Sequence, residues 1–360
     1  MQEQFTGTRP VEARLAFDYE RLAAYLKQHI DNFAGPLDAQ LFKGGQSNPT
    51  YLLAAGNKKF VLRRKPPGKL LPSAHAVDRE YRIITALRDS GVPVAGSYVL
   101  CEDESVIGTP FYVMDFVDGR VIWDPSMPGA SNAERTAVYD ELNRVIARLH
   151  QVDYATLGLT DFGKPGNYLE RQIARWTKQY RASETEKIEA MDRLIDWLPG
   201  NIPPGDETTI VHGDYRLDNV IFHHSEPRIL AVLDWELSTL GHPLADFSYH
   251  CMAWRLSPDE FRGLVGYNLP ALGIPSEEAH VARYCERTGR REIPNWDFYM
   301  AYNMFRLAGI LQGIMGRVVD GTAASQHAAE QGKRARPMAE AGWRQVERVL
   351  GKAGVEALAQ

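Results

Sequence analysis

The sequence of 360 residues contains only three cysteines, which lie far apart at Cys101, Cys251 and Cys285. This spacing excludes a disulfide framework and a C-x-x-C metal site, so we expect a reducing, cytoplasmic environment. Long apolar runs are also missing. No stretch approaches the roughly 20 apolar residues of a membrane span, and the N-terminus has no continuous apolar segment. We therefore expect a soluble chain that is not exported.

Neither sign of charge strongly dominates the chain. Its 41 basic and 46 acidic residues give a formal net charge of -5, so there is no global electrostatic reason to expect nucleic acid or an anionic membrane as a partner. The length allows one large domain or two lobes, and the 44 % of hydrophobic residues is enough for a sizeable core.

Two familiar nucleotide-binding motifs are absent, since neither G-x-x-x-x-G-K-[ST] nor G-x-G-x-x-G occurs. A turn of sequence Gly-Gly-Gln-Ser-Asn lies at residues 44–48. The N–H groups of its small residues could approach phosphate oxygens, with Gly44, Gly45 and Ser47 as contacts, but ordinary hairpins use similar residues. The turn alone leaves both interpretations open.

Hydrophobic periodicity predicts a β-rich N-terminal part followed by a helical part. Strands are predicted at 40–43, 50–54, 59–63, 97–101 and 111–116, with helices at 19–30 and 76–87. Helical patterns then occupy 132–152, 168–182, 184–198, 244–255, 277–287, 296–317 and 329–350. The change in pattern predicts a boundary between two lobes near residues 117–125.

The stretch that organises the sequence is 210–222, followed by 229–236. We interpret its two apolar β-type runs as a hairpin with His212, Asp214 and Asn219 around the first loop and Asp234 after the second run. An Asp-x-x-x-x-Asn loop with a further Asp beyond the next strand supplies the groups of a phosphoryl-transfer site. We therefore expect Asp214 to act as the base and Asn219 and Asp234 to hold Mg²⁺.

We expect supporting roles for two further residues, His212 and Asp246. A histidine in such a loop more often shapes the turn through hydrogen bonds to the backbone than takes a proton, and we expect the same of His212. Asp246, at the start of an apolar helix, could brace the catalytic loop or cap the helix, and the sequence leaves the two roles open.

A cation and a carboxylate in the N-terminal part form a second candidate pair. Arg63 ends a predicted strand and Glu80 lies within the following helix, an order in which kinases hold the α/β-phosphates. For isolated charges the alternative is a solvated basic edge and a surface helix pair. Further on, Met114 is expected to line an adenine pocket and the backbone of Asp115 and Val117 to read the adenine edge, although an ordinary strand end fits the same residues.

In order along the chain, these residues closely resemble the aminoglycoside phosphotransferase and choline kinase-like family. The resemblance rests on residues 44–48, Arg63, Glu80, 212–219 and 233–246. The segments His-Gly-Asp-Tyr-Arg-Leu-Asp-Asn and Leu-Asp-Trp-Glu-Leu-Ser-Thr-Leu-Gly are most similar to the kinase domain found fused to acyl-CoA dehydrogenases. Two positions depart from the family pattern, since Arg63 stands where many kinases have Lys and His242 where the family usually has Asp.

The resemblance implies an α+β, bilobal protein-kinase-like fold. A small antiparallel β-sheet plus helix would form an N-terminal nucleotide-binding lobe at 1–117, and a large, mainly helical lobe at 118–360 would bind the acceptor and carry catalysis. It also implies ATP and Mg²⁺ as cofactors, a small-molecule hydroxyl as acceptor and a functional link to acyl-CoA dehydrogenase.

Charge predicts the class of acceptor. Aminoglycosides are polycations, whereas Arg216 lies in the catalytic loop, Arg255 closes the next helix and Arg306 sits in an apolar helix, where a charge is commonly paired or holds an anion. We therefore expect an anionic hydroxy acid or hydroxyacyl-CoA. Three alternatives stay open: an aminoglycoside kinase, a nucleotide-binding pseudokinase without turnover, and a metal-dependent hydrolase that uses His212, Asp214 and Asp234.

Overall fold

A computed structural model of the chain describes residues 6–43, 48–68, 75–322 and 327–358, with side chains up to residue 352. The chain forms two compact units. The first consists of Met1–Trp123, Thr156–Leu159 and Asp218–Ser238, and the second of Asp124–Ala155, Thr160–Leu217 and Thr239–Gln360. The compact units thus group residues 218–238 with the N-terminal segment. The functional division at residue 117 stays a prediction.

The strands of the described residues are short, and most belong to the first unit. They are β1 (Thr8–Arg9), β2 (Leu37–Phe42), β3 (Thr50–Ala55), β4 (Lys58–Arg64), β5 (Ser97–Cys101), β6 (Phe111–Asp115), β7 (Thr209–Val211), β8 (Val220–Phe222), β9 (Ile229–Val232) and β10 (Thr239–Gly241).

The helices concentrate in the second unit. In chain order they are α1 (Tyr19–His29), α2 (Val77–Ala86), α3 (Glu104–Ile107), α4 (Asn132–His150), α5 (Tyr168–Ala182), α6 (Glu189–Trp197), α7 (Pro243–Cys251), α8 (Pro258–Phe261), α9 (Leu269–Leu272), α10 (Glu277–Thr288), α11 (Trp296–Val319), α12 (Ala328–Gly332) and α13 (Ala335–Leu358). Short 3-10 helices occur at 13–15, 198–201, 217–219, 235–237 and 252–255. Among the described helices, none is both long and apolar enough to cross a membrane.

The first unit is built on a six-stranded sheet in the order β1-β2-β3-β4-β6-β5, and every pair in it is antiparallel. Alternating burial along β3 shows that one face of the sheet meets the core. The turn from β3 to β4 contains Gly56 at φ +60°, a left-handed conformation that glycine adopts without strain. The small antiparallel sheet expected for the N-terminal part is confirmed.

A separate hairpin, β8 with β9, also belongs to the first unit. It pairs Val220 with Val232, and the N–H of Leu233 donates to the carbonyl of Asn219 at 2.8 Å. The predicted apolar run at 210–222 is therefore two strands in different sheets, because β7 pairs with β10 of the second unit instead.

The second unit packs around α11, which contacts α5, α7, α12 and α13. Most residues of α11 are buried, and this explains its apolar sequence on every face. Polar residues within it, such as Asn303 and Arg306, are therefore buried as well, and each donates hydrogen bonds to the chain around it.

The helices predicted at 184–198 and 329–350 have different limits in the structure. The helix predicted from residue 184 begins at Glu189. In the segment before it, the Gln312 side chain donates to the carbonyl of Ser183 and to the hydroxyl of Thr185. The helix predicted at 329–350 is two helices, α12 and α13. Pro337 lies in the first turn of α13, where its missing N–H is tolerated, but a continuous helix would lose that hydrogen bond.

Candidate active site

The loop that follows β7 is held by a buried carboxylate on α7. Asp246 accepts the N–H of His212 through Oδ2 at 2.7 Å and the N–H of Gly213 through Oδ1 at 2.8 Å. Gly213 has φ +84°, so the chain turns sharply here at a position that favours glycine. Two successive N–H groups thus converge on one side chain, which orients the residue that follows, Asp214.

Asp246 stays ionised although it is buried. Burial acts to raise its pKa, but hydrogen bonds from His150 and from the backbone of His212 outweigh this effect and lower the pKa below its usual value. The His150 Nε2 lies 3.2 Å from Asp246 Oδ2, and the other ring nitrogen contacts the Tyr284 hydroxyl at 2.8 Å.

The N-cap of α7 is His242 and not Asp246. His242 accepts the N–H of Leu244 through Nδ1 at 3.2 Å, so Asp246 contacts the loop while His242 occupies the N-cap. Burial lowers the pKa of His242 to about 4, with an opposing effect from Glu207. A neutral imidazole with an acceptor nitrogen therefore does at this position what a carboxylate oxygen does in other helix caps.

His212 is fully buried, and its Nδ1 accepts the N–H of Asp214 at 3.2 Å. This contact is of the loop-shaping kind that the sequence suggested. The Asp214 side chain is 18 % exposed, and its Oδ1 lies 3.2 Å from Arg216 Nε. The same oxygen accepts a hydrogen bond from the Tyr249 hydroxyl at 2.6 Å.

Arg306 also holds the loop. Its Nη2 donates to the carbonyl of Gly213 at 2.7 Å, and its guanidinium lies over the rings of Tyr249 and Trp176, 5.1 and 5.8 Å from their centres. The buried charge of Arg306, which we predicted to hold a ligand anion, thus contacts the backbone next to Asp214.

Arg255, the other distant arginine of the prediction, forms a buried ion-pair network. Its Nε lies 2.8 Å from Glu277, and its Nη1 contacts Asp297 and donates to Gln345 at 2.8 Å. With two carboxylates beside it, this cation is already neutralised. The expectation that Arg255 holds an anionic acceptor stays a prediction.

In the first unit, Arg63 lies at the centre of a cluster of carboxylates. Its Nε is 2.8 Å from Glu80, and its Nη2 is 2.7 Å from Asp234 and 3.5 Å from Glu236. Burial alone would lower the pKa of Arg63, but Glu80 and Asp234 outweigh this effect and raise it. The strand cation and the helix carboxylate are thus brought together, and Arg63 stays charged.

Glu80 has two further partners. The side-chain amide of Asn48 donates to it at 2.8 Å and the Tyr112 hydroxyl at 3.1 Å. Burial raises the pKa of Glu80, against the opposing charge of Arg63. These donors satisfy the carboxylate in an environment where unpaired oxygens would be costly.

Asn219 and Asp234 lie at the same end of the β8–β9 hairpin, since the Leu233 N–H binds the Asn219 carbonyl and Asp234 comes next. Asp234 has φ +63°, which turns the chain after the strand. Amide and carboxylate oxygens are hard ligands of the type that Mg²⁺ prefers. The side-chain oxygens of Asn219 and Asp234 at this end of the hairpin therefore fit Mg²⁺.

The expected adenine contacts lie at the end of β6. Met114, Asp115 and Val117 are all partly buried. The N–H of Asp115 donates to the Gly96 carbonyl at 2.8 Å, and its side chain accepts from the Gly96 N–H at 3.1 Å and from the Tyr98 hydroxyl. The expected phosphate contacts Gly44, Gly45 and Ser47 lie outside the described residues.

A comparison with protein-family models matches residues 38–284 to the phosphotransferase enzyme family. This range is more than half of the chain. The chain belongs to that family. Its curated relatives include acyl-CoA dehydrogenase family member 10 of Mus musculus, which is 48 % identical over 341 residues, or 94 % of this chain and 32 % of that protein. The chain spans less than half of the length of such curated relatives.

Two solved structures place this phosphotransferase among the small-molecule kinases by fold. One, from Ralstonia eutropha JMP134 and provisionally named an aminoglycoside phosphotransferase, is 59 % identical with a TM-score of 0.86, covering 92 % of this chain and 99 % of that one. The other is a spectinomycin phosphotransferase in complex with ADP and spectinomycin. It is 14 % identical with a TM-score of 0.62, covering 91 % and 98 %, and this likeness concerns the fold alone.

Sequence reasoning did not find several partners in this phosphotransferase. Asn48 stood in the quoted turn motif without an assigned contact, and Tyr112 lies on β6, which borders β4 and its Arg63. Tyr249 could have been found, because it follows Asp246 by three positions and so lies on the same side of α7. The link from His150 on α4 to Asp246 has no local signal, since 96 positions separate the two residues.

Proposed function

We propose that this protein transfers the γ-phosphoryl group of ATP, in the presence of Mg²⁺, to a hydroxyl of an anionic small molecule. The observation that carries the proposal is the arrangement of Asp214. It is a partly exposed carboxylate on a loop whose backbone is fixed by Asp246 and Arg306. Such a carboxylate is suited to accept the proton of an acceptor hydroxyl as that hydroxyl attacks phosphorus.

The proposal gives each group of the chain a task. Asp214 orients the acceptor hydroxyl and takes its proton, while Asn219 and Asp234 hold the metal. Bound Mg²⁺ would neutralise charge on the phosphate oxygens. His212 and Asp246 support the catalytic loop.

Nucleotide binding is assigned to the first unit. Arg63, fixed by Glu80, would face the phosphates together with Gly44, Gly45 and Ser47. Met114 and the backbone of Asp115 and Val117 would contact the adenine. The ADP in the spectinomycin phosphotransferase structure supports a nucleotide as the donor, since the fold is shared.

The class of acceptor rests on two further observations. Arg216 is paired with Asp214, and its side chain is 29 % exposed, so a cation reaches solvent beside the base. An anionic group on the acceptor would be attracted there, whereas a polycation would be repelled. In addition, the curated relatives are named as acyl-CoA dehydrogenase family members, which favours a hydroxyacyl-CoA or the corresponding hydroxy acid and a functional link to acyl-CoA dehydrogenation.

An acceptor screen tests the proposal. The purified protein is given ATP and Mg²⁺ with hydroxy acids, hydroxyacyl-CoAs and aminoglycosides, and the phosphorylated products are identified by mass. We expect a hydroxyacyl-CoA or hydroxy acid to be phosphorylated, and Asp214→Asn to lower kcat by about 10² to 10⁴-fold because the proton acceptor is lost.

Asp196→Asn is the matched control, since it neutralises an exposed carboxylate on α6 of the same unit and should leave kcat unchanged. Preferential phosphorylation of aminoglycosides would refute the assignment of an anionic acceptor. Tight ATP binding without any turnover would favour a pseudokinase instead.

A further inference from the structure

We propose that Tyr249 is a positioning residue for the Asp214 carboxylate, and that Arg306 and Trp176 hold Tyr249 in place. This inference rests on the proposed role of Asp214 as the proton acceptor. We call Trp176, Arg306, Tyr249 and Asp214 the base-holding cluster. All four residues lie in the second unit, on α5, α11, α7 and the loop after β7.

The contact between Tyr249 and Asp214 has a fixed direction. Burial, with a further contribution from the charge of Asp214, raises the pKa of Tyr249. The phenol therefore keeps its proton and can only donate to the carboxylate, here to Oδ1 at 2.6 Å. A hydrogen bond to an ionised acceptor is stronger than one between neutral groups, so it holds the carboxylate in one rotamer.

The two oxygens of Asp214 are consequently not equivalent. Oδ1 receives a hydrogen bond from the Tyr249 hydroxyl and lies 3.2 Å from the Arg216 cation, and both lower its tendency to accept a proton. Tyr249 would therefore orient the carboxylate without contacting the acceptor.

Arg306 makes the arrangement of the loop and of the tyrosine interdependent. One guanidinium binds the carbonyl of Gly213, just before Asp214, and lies over the Tyr249 ring. Trp176 lies against the same cation. Cation–π contacts gain strength when they are desolvated, and Arg306 is only 8 % exposed.

The helix α7 thereby fixes both parts of the base. Asp246 holds the loop backbone, and Tyr249, three positions later, holds the side chain. Positions three apart share a helix face, so both contacts are made from one rigid element. A carboxylate held at its backbone and at its side chain loses little conformational freedom when the acceptor binds.

The test uses Tyr249→Phe, which removes only the hydroxyl and keeps the ring beside Arg306. We expect kcat to fall by about ten- to hundred-fold, the effect of one hydrogen bond to a charged group, while the KM for ATP stays within about two-fold. The matched control is Tyr139→Phe. Tyr139 is a buried tyrosine of the same unit whose hydroxyl donates to the Pro125 carbonyl, and its loss should leave kcat unchanged.

A double-mutant cycle on unfolding in denaturant measures the contact without any acceptor. Wild type, Tyr249→Phe, Asp214→Ala and the double variant are compared, and we expect a coupling of about five-fold or more in the unfolding equilibrium constant. Coupling near one-fold would overturn the inference, as would a Tyr249→Phe enzyme with wild-type kcat. If wild type phosphorylates no acceptor, the proposed function fails, and the cycle still decides whether Tyr249 holds Asp214.

Discussion

Arg63 contacts carboxylates from two separate segments of the chain at once. Its Nε faces Glu80 on α2, and its Nη2 faces Asp234 and Glu236 after β9. A guanidinium can do this because its donors are spread over a planar fork, whereas a lysine presents one ammonium group. The arginine found where related enzymes often have lysine thus serves more contacts than one ammonium could.

Arg63→Lys tests this difference. We expect the variant to be less stable by about 1.5–3 kcal/mol, because at least one charge-assisted contact is lost, and to bind ATP more weakly because Asp234 is no longer held. Denaturant unfolding and a nucleotide titration measure the two effects.

Arg64→Lys provides the control for Arg63→Lys. Arg64 is the next residue, is also buried, and binds the hydroxyl of Thr109 at 2.8 Å instead of a carboxylate. Its replacement should cost stability without changing ATP affinity. An Arg63→Lys protein with the stability and affinity of wild type would mean that only the positive charge matters at position 63.

The pairing of Arg63 with Glu80 could be predicted from their order along the chain, because a strand cation and a helix carboxylate recur in this order in kinases. The contact with Glu236 could not. In an extended strand Asp234 and Glu236, two positions apart, would lie on the same face, but the chain here is not extended. A 3-10 helix at 235–237 replaces the extended chain after Asp234, and sequence periodicity does not reveal so short an element.

At the scale of one element, α7 contributes three different contacts within eight residues. His242 caps the helix, Asp246 holds the catalytic loop and Tyr249 reaches Asp214. The apolar pattern predicted this helix over 244–255, but in the structure it ends at Cys251 and a 3-10 turn follows. The apolar pattern predicts which residues of the helix are buried. It does not show whether a polar residue caps the helix, as His242 does, or holds the catalytic loop, as Asp246 does.

His242→Asn tests the cap and its pH dependence. The pKa of His242 is lowered from 6.5 to about 4, so between these values the unfolded chain binds a proton that the folded chain does not. Wild type therefore loses stability as the pH falls from 6.5 towards 4, by about 1.4 kcal/mol per pH unit for this group. Asparagine caps helices without titrating, and the variant should lack this part of the slope.

Denaturant unfolding at pH 7.5, 6.0 and 5.0 measures that slope. His242→Ala is the companion variant, since it removes both the proton and the cap. It should lose about 1 kcal/mol at pH 7.5, where His242→Asn should stay close to wild type. Equal pH slopes for wild type and His242→Asn would show that the pKa of His242 is the same in the folded and the unfolded chain.

At the scale of the whole molecule, the boundary between the two units falls within the motif at 212–219, on which the family resemblance rests. Asp214 belongs to the second unit and Asn219 to the first. A change in composition near residue 117 could be read from the sequence, but the return of residues 218–238 to the N-terminal unit could not. That return depends on contacts such as the bridge between Arg120 and Phe222, and nothing local in the sequence predicts such a distant pairing.

Arg255 is where the architecture of the second unit can be tested. It joins the first turns of α10 and α11 to α13 through Glu277, Asp297 and Gln345. Arg255→Ala should destabilise the protein by about 3–5 kcal/mol, because two carboxylates lose their buried cation. At a permissive temperature, the KM for the acceptor should not change.

The control for Arg255→Ala is Arg193→Ala, which breaks an exposed pair with Glu189 on α6 and should cost no more than about 1 kcal/mol. Unfolding in denaturant compares the two variants, and initial rates give the KM. A large increase in acceptor KM for Arg255→Ala, without loss of stability, would show that Arg255 is a substrate contact.

The brace at Asp246 also limits how this protein can evolve. Its two oxygens each receive a backbone N–H, so an asparagine would have to turn its own NH₂ group towards a donor. A glutamate would be longer by one methylene in a fully packed interior. Position 242 needs only one acceptor, and several residue types provide that. These two polar positions at the start of α7 therefore differ in the substitutions that they tolerate. Position 242 can accept several capping residues, whereas position 246 requires aspartate.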